Sequence, residues 1–145
     1  MKLEFHSPGY MPACGLTFVI IGARYKGRWV FVRNRKRNSY ELPAGHIDPD
    51  EEADVAAARE LGEETGADKF DIQCIATYTV SSDDSFRAGR LYYAVIAALG
   101  QERDEDEIGE VIFADSLPSE LSFPFVQGEL FAYLERYHKA QVNHN

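Results

Sequence analysis

Cysteine is scarce: Cys14 and Cys74 are the only two in 145 residues, and neither stands at metal-ligand spacing from another thiol or a histidine. A disulfide-stapled scaffold and a thiolate zinc site are thereby excluded, and the two thiols read as small buried hydrophobes in a reducing compartment, the cytosol. A membrane-spanning run is also missing, since the apolar stretch from Leu16 to Ile21 is far shorter than the roughly 20 residues a bilayer requires, and no signal-peptide pattern is visible. Positive charge is in deficit. Fifteen Lys and Arg face 24 Asp and Glu, a formal net charge of −9, so the overall field repels nucleic-acid polymers and anionic membranes. A small anionic substrate remains compatible if metal and arginines meet its charge locally. Repeats, linkers and low-complexity tracts are lacking too, and the length suits one domain over residues 1–145.

What is present is a globular composition, 45% hydrophobic with 12% aromatics. β-rich runs alternate with turn signals at Leu16 to Ile21, Arg28 to Val32, Asp71 to Val80, Arg90 to Leu99 and Glu110 to Ala114, which predicts a sheet. From Phe125 to Lys139, with Pro124 at the start, Val126, Leu130, Tyr133, Leu134 and Tyr137 recur at helical spacing. The tail from Gln141 to Asn145 is expected to fray. The fold class is therefore α/β.

Between the strands lies a run from Gly45 to Ala67 of a different kind. Asp48, Pro49 and Glu51 supply an N-cap oxygen, a first-turn proline and a carboxylate three residues after the cap, while Gly66 is placed to end the run, so a helix is predicted over residues 49–65. At about 100° per residue Glu60, Glu63 and Glu64 fall in one sector, with Val55, Ala58 and Leu61 opposite. Three like charges so close repel one another, a cost that interleaved lysines would remove from an ordinary solvated face. A hard divalent cation removes it as well, because Mg²⁺ prefers carboxylate and carbonyl oxygens, keeps several waters and bridges to phosphates. Arg59, four residues before Glu63, can hold that carboxylate. Small Ala53, Ala56 and Ala57 leave room for a close neighbour.

This run resembles the Nudix box, G-x5-E-x7-R-E-U-x-E-E-x-G-U with U apolar, whose places are filled here by Gly45, Glu51, Arg59, Glu60, Leu61, Glu63, Glu64, Gly66 and Ala67. The resemblance implies an α/β/α sandwich with a mixed sheet and a loop-helix-loop metal site. It implies a hydrolase for nucleoside diphosphates linked to another moiety, with Mg²⁺ or Mn²⁺ on Glu60, Glu63 and Glu64 and the carbonyl of Gly45. Glu51 and Arg59 would orient that array. Ala44 stands where the family usually has another glycine. Many relatives pair, so a homodimer is compatible, though no interface is identifiable. A non-catalytic nucleotide-binding module is the alternative from another class, and the retained box acids speak against it.

Other segments leave alternatives open. Arg33, Asn34, Arg35, Lys36 and Arg37 lead into the box, and Arg33 or Arg35 would neutralise substrate phosphates unless the cluster is only a solvated turn. Residues 101–110 form an acidic run where, by the resemblance, Glu107 or Glu110 would bind a further metal or deprotonate the attacking water. Tyr78, Phe86, Tyr92, Tyr93 and Phe123 are able to stack on a base, yet aromatics at strand spacing are more often core. His46, beside the box glycine, is expected as an exposed turn residue, and His6 and His138 as surface or packing residues. The compact chain is most similar to the branch that cleaves nucleoside triphosphates, often oxidised ones, to monophosphate and pyrophosphate. ADP-ribose and nucleotide-sugar hydrolases tend to carry a proline not far beyond the box, and none occurs here between Pro49 and Pro118. Dinucleoside polyphosphate hydrolases tend to carry a tyrosine there, and Tyr78 lies nearer the box than that pattern requires.

Overall fold

Side-chain alternation along the strands sorts the apolar residues onto two faces of one sheet, and a helix covers each face. The computed structural model describes residues 1–100 and 103–143. Its strands are β1 (Lys2–His6), β2 (Phe18–Tyr25), β3 (Arg28–Asn34), β4 (Ser39–Glu41), β5 (Ala44–His46), β6 (Ala67–Ser81), β7 (Phe86–Leu99) and β8 (Ile108–Ala114). The helices are α1 (Ala53–Thr65) and α2 (Pro124–Asn143). The order is β1-β6-β7-β2-β3-β4, with β5 on β2 and β8 on β3. β2 and β7 run parallel, and the other named pairs are antiparallel. The expected α/β architecture with a mixed sheet is thus present.

Val19, Ile21 and Ala23 of β2, Val30 of β3 and Tyr92, Ala94 and Ile96 of β7 join Ala53, Ala56, Ala57 and Leu61 of α1 in one core. The alternate residues Ile20, Trp29, Phe31 and Leu91 join Leu130, Phe131 and Leu134 of α2 in the other. Burial on both faces is why residues 19–21 read as a continuous apolar run. α2 approaches β2 so closely that a Cβ on Gly22 would lie 2.3 Å from Leu134 Cδ2. No helix among the described residues is long and apolar enough to cross a membrane.

Three strands escaped the sequence reading. β4 and β5 hold only three residues each, too few to show a period, and β1 is an edge strand paired with β6 alone. The helix expected over 49–65 begins later, at Ala53. Asp50 takes a left-handed conformation, φ 66°, and Glu52 at the N-cap makes no side-chain capping bond. The cause is the Glu51–Arg59 ion pair: in a continuous helix those residues would stand eight apart, about 12 Å along the axis, beyond reach. The C-terminus follows expectation, with Gly66 at φ 81° and its N–H on the Gly62 carbonyl.

The packing face of α1 also differs from the expected one. Val55 is exposed and Ala58 half-buried, while Ala53, Ala56, Ala57, Leu61 and also Glu64 are buried. The alanines bring the helix close to the sheet, and the acidic side turns inward with them. Gln141 to Asn143 continue α2 instead of fraying. His144 and Asn145 of that tail, and Gln101 and Glu102 of the acidic run, lie outside the described residues.

Candidate active site

The box loop is held by one cation. Arg59 donates from Nε and Nη2 to the two oxygens of Glu51, both at 2.8 Å. Its Nη1 reaches Glu60 at 2.9 Å and Glu63 at 3.3 Å, and Nη2 also touches the His46 carbonyl at 3.3 Å. Glu51 in turn accepts the Asp48 N–H at 3.0 Å. Hydrogen bonds from Arg59 and then from Asp48 hold the Glu51 carboxyl down at about 2. The same bonds raise Arg59 further above its ordinary value. This fork ties the β5–α1 loop to the middle of the helix.

The two carboxylates deeper in α1 behave in the opposite way. Glu64 is 2% exposed, accepts the Ala44 N–H at 3.0 Å and is pushed up to about 9, first by burial and then by the charges of Glu60, Glu107 and Glu41. Glu60 is pushed up to about 7 by burial, against the pull of Arg59, with Glu63 and Glu107 adding to the rise. Its carboxyl lies against Gly45, where a Cβ would come within 2.1 Å of Glu60 Cδ. Ala44 is not among the positive-φ residues, so a side chain there costs no backbone strain.

As placed, no three Asp, Glu, His or Cys side chains among the described residues converge on one point. Glu63 turns out to Arg59, with 48% of its side chain exposed. The inner donor set is two carboxylates and the backbone beside Gly45, which fits a hard cation that keeps several waters and takes its remaining oxygens from phosphates. Glu60 is half-buried and its charge raises the proton affinity of the buried Glu64, a cost that a proton or a cation relieves.

The two loop candidates separate. Glu107 is exposed, and its charge acts on Glu60, Glu64 and Arg37. Glu110 instead accepts a short hydrogen bond from the Tyr40 hydroxyl, across the β4–β3–β8 ladder. The basic cluster separates as well. Arg33 Nη1 donates to Asn38 at 3.2 Å, and Arg35 Nε to the Glu105 carbonyl at 2.6 Å. Arg37, which sequence reasoning passed over, forks onto Glu41 at 3.1 and 2.6 Å and lies within the influence of Glu107 and Glu64. Glu41 is itself 5% exposed. The signal was there in the opposite charges of Arg37 and Glu41, four residues apart.

Among the aromatics, Tyr78 and Tyr92 are core, and Tyr93 is half-buried with its hydroxyl on His138 Nδ1 at 2.8 Å. Phe86 and Phe123 are exposed. Phe123 has a left-handed backbone, φ 45°, and its ring faces the Arg37 guanidinium at 5.2 Å. His46 is exposed against Phe18, His6 bonds Thr79, and His138 packs on Trp29.

A loop-helix-loop bearing these acids on a mixed sheet defines a class, and a NUDIX domain model matches residues 15–134: the chain belongs to the Nudix family. It is a Nudix hydrolase, a pyrophosphohydrolase, and such enzymes generally use divalent metal ions. It is similar to YtkD of Bacillus subtilis (strain 168), provisionally named an 8-oxo-dGTP diphosphatase, at 32% identity over 122 residues covering 84% of this chain and 75% of that protein. It is also similar to the RNA pyrophosphohydrolase of Cronobacter sakazakii (strain ATCC BAA-894), at 35% identity over 69 residues, 48% of this chain and only 37% of that one. A crystal structure of the Bacillus subtilis pyrophosphohydrolase BsRppH, in a mutant form, shares the fold with a TM-score of 0.78 over 96% of this chain and 90% of that chain, at 24% identity.

Proposed function

We propose that this hydrolase, as one domain over residues 1–145, cleaves a nucleoside triphosphate, oxidised purine forms included, to the monophosphate and pyrophosphate. The observation that carries the reading is the half-buried Glu60 carboxyl against Gly45, whose charge raises the buried Glu64, with the charge of Glu107 acting on both acids and on Arg37. Glu60, Glu64 and the Gly45 carbonyl would hold Mg²⁺ or Mn²⁺, with Glu63 joining on release from Arg59. A bound divalent cation supplies charge neutralisation at the phosphates and a lower water pKa.

The remaining work falls to the chain's own groups. Water forms a bond to phosphorus as the anhydride bond to pyrophosphate breaks, and Glu107 accepts the proton that the water loses. Arg37 takes the phosphate-facing role that the sequence suggested for Arg33 or Arg35, because the charges of Glu107 and Glu64 act on it. Phe123 offers an exposed aromatic face for the base next to Arg37. Arg59 and Glu51 hold the loop. Support for a triphosphate substrate comes from the name of YtkD, matched over most of both chains.

The shorter match to RNA pyrophosphohydrolases favours a second reading with the same chemistry, removal of pyrophosphate from a 5′-triphosphorylated RNA end. Pyrophosphate release would be measured with and without Mg²⁺ on canonical and oxidised nucleoside triphosphates, 5′-triphosphate RNA, ADP-ribose, nucleotide sugars and dinucleoside polyphosphates, with Mn²⁺ binding followed calorimetrically. Metal-dependent release from free triphosphates, lost in Glu64→Gln, is expected. Release from RNA ends alone would establish the second reading, and turnover confined to ADP-ribose or sugars would refute both.

A further inference from the structure

The acidic segment before β8 is tied down at more points than an exposed loop requires. β3 and β8 pair Arg33 with Glu110 and then Asn34 with Ile108, which leaves Gly109 as a bulge. A Cβ on Gly109 would fall 2.6 Å from Arg33 Nη2, so the bulge depends on glycine. Beyond it, Asp104 joins the turn to the box helix. Its N–H donates to the Glu63 carbonyl at 2.6 Å, one of the α1 carbonyls with no partner inside the helix. Its carboxylate accepts the N–H groups of Asp106 and Glu107 at 3.1 and 3.3 Å, and its carbonyl accepts the Ile108 N–H at 3.0 Å. On the other side, Arg35 donates its N–H to the Glu107 carbonyl at 2.8 Å and its Nε to the Glu105 carbonyl at 2.6 Å. Glu107 is therefore held by its own backbone from two elements, while its side chain stays exposed and its charge reaches Glu60 and Glu64.

We infer that Asp104 and Arg35 are positioning residues that clamp the turn bearing Glu107 onto the end of α1 and so fix the Glu107 carboxylate opposite Glu60 and Glu64. The inference rests on the reading of Glu107 given above. A displaced general base loses rate while ground-state binding is kept, since misplacements near 1 Å are enough to cost about 100-fold. Asp104 stays out of substrate contact and works through Glu107 alone.

A double-mutant cycle tests this, with kcat and KM measured on a nucleoside triphosphate and thermal melts as the check on folding. Glu107→Gln is expected to lower kcat about 100-fold. Asp104→Ala is expected to lower it at least about 10-fold with KM within about twofold, and the double variant to lie no more than about twofold below Glu107→Gln. Asp104→Asn keeps the accepting oxygen and is expected to restore kcat to within about threefold of the parent. Arg35→Met, which keeps the stem and removes the Nε donor, is expected to match Asp104→Ala in direction and serves if the latter unfolds. Losses that add in the double variant, or an unchanged kcat in both clamp variants while Glu107→Gln is impaired, would overturn the clamp alone. An unchanged kcat in Glu107→Gln would overturn the role of Glu107 and the clamp with it.

Discussion

The two faces of the sheet are covered by helices built to opposite rules. α2 buries Leu130, Phe131 and Leu134, and its one buried polar side chain, Gln127, accepts the Leu42 N–H at 2.9 Å. α1 buries three alanines, one leucine and a glutamate that burial drives to about 9. Each large side chain on the α2 face removes far more apolar area from water than an alanine does. The α2 face supplies cohesion. The α1 face gives up burial and accepts an unfavourable carboxylate, so that a helix comes close enough to put its acids against Gly45. Stability and chemistry are thus segregated by face, and substitutions on the two sides should fail in different ways.

The largest contrast is Glu64→Gln, expected to lower turnover about a thousandfold, or about 4 kcal/mol of transition-state stabilisation. The neutral amide still accepts the Ala44 N–H, so the variant should melt no lower than the parent at pH 9, and a lower melting point would contradict the assignment of strain to this acid. Leu134→Ala on the other face should cost about 3 kcal/mol of stability. Its kcat below the melting range should match the parent, and a kcat loss comparable to that of Glu64→Gln would erase the distinction between faces.

A smaller effect follows from pH. Glu60 and Glu64 are raised from 4.5 to about 7 and about 9 in the fold. The folded chain therefore binds protons that the unfolded chain releases, and the associated stability is full below about 4.5 and is lost as pH rises through 7 and 9. Melting in EDTA should fall by several degrees from pH 5 to pH 9, at about 2–4 °C per kcal/mol, while Mg²⁺ should flatten the curve by replacing the protons. Equal slopes with and without the metal would remove these acids from the metal site. The smallest effect belongs to Glu51, which is held down at about 2. Its contribution is present above 4.5 and fades as pH falls through 2, so the difference in melting point between Glu51→Gln and the parent should disappear in strong acid.

How much of this was legible in the sequence depended on whether a signal was local. The box acids, the Gly66 cap and the long apolar strands each announce themselves within a few residues. The start of α1 did not, because its register is decided by Glu51 reaching Arg59 across the loop. Glu107 and Glu110 are set apart by the bulge at Gly109 and by the Tyr40 hydroxyl, the latter 70 residues from Glu110 in the chain. Arg37 was hidden by the denser charges of its neighbours Arg33 and Arg35. For Glu107 and Glu110 contacts distant in the chain outweighed the local pattern.

The parallel pairing of β2 with β7 has a kinetic consequence. β6 and β7 form a long hairpin whose contacts are close in sequence, and β2 and β3 form another. Joining them brings Phe18 beside Gly89 and encloses the whole box segment within that closure. Contacts of such separation carry a large loop entropy and slow folding. The expectation is that the candidate site completes only after the main barrier. Ligands should then retard unfolding in proportion to their occupancy while leaving the refolding rate constant untouched, which stopped-flow measurements with and without Mg²⁺ and nucleotide would resolve.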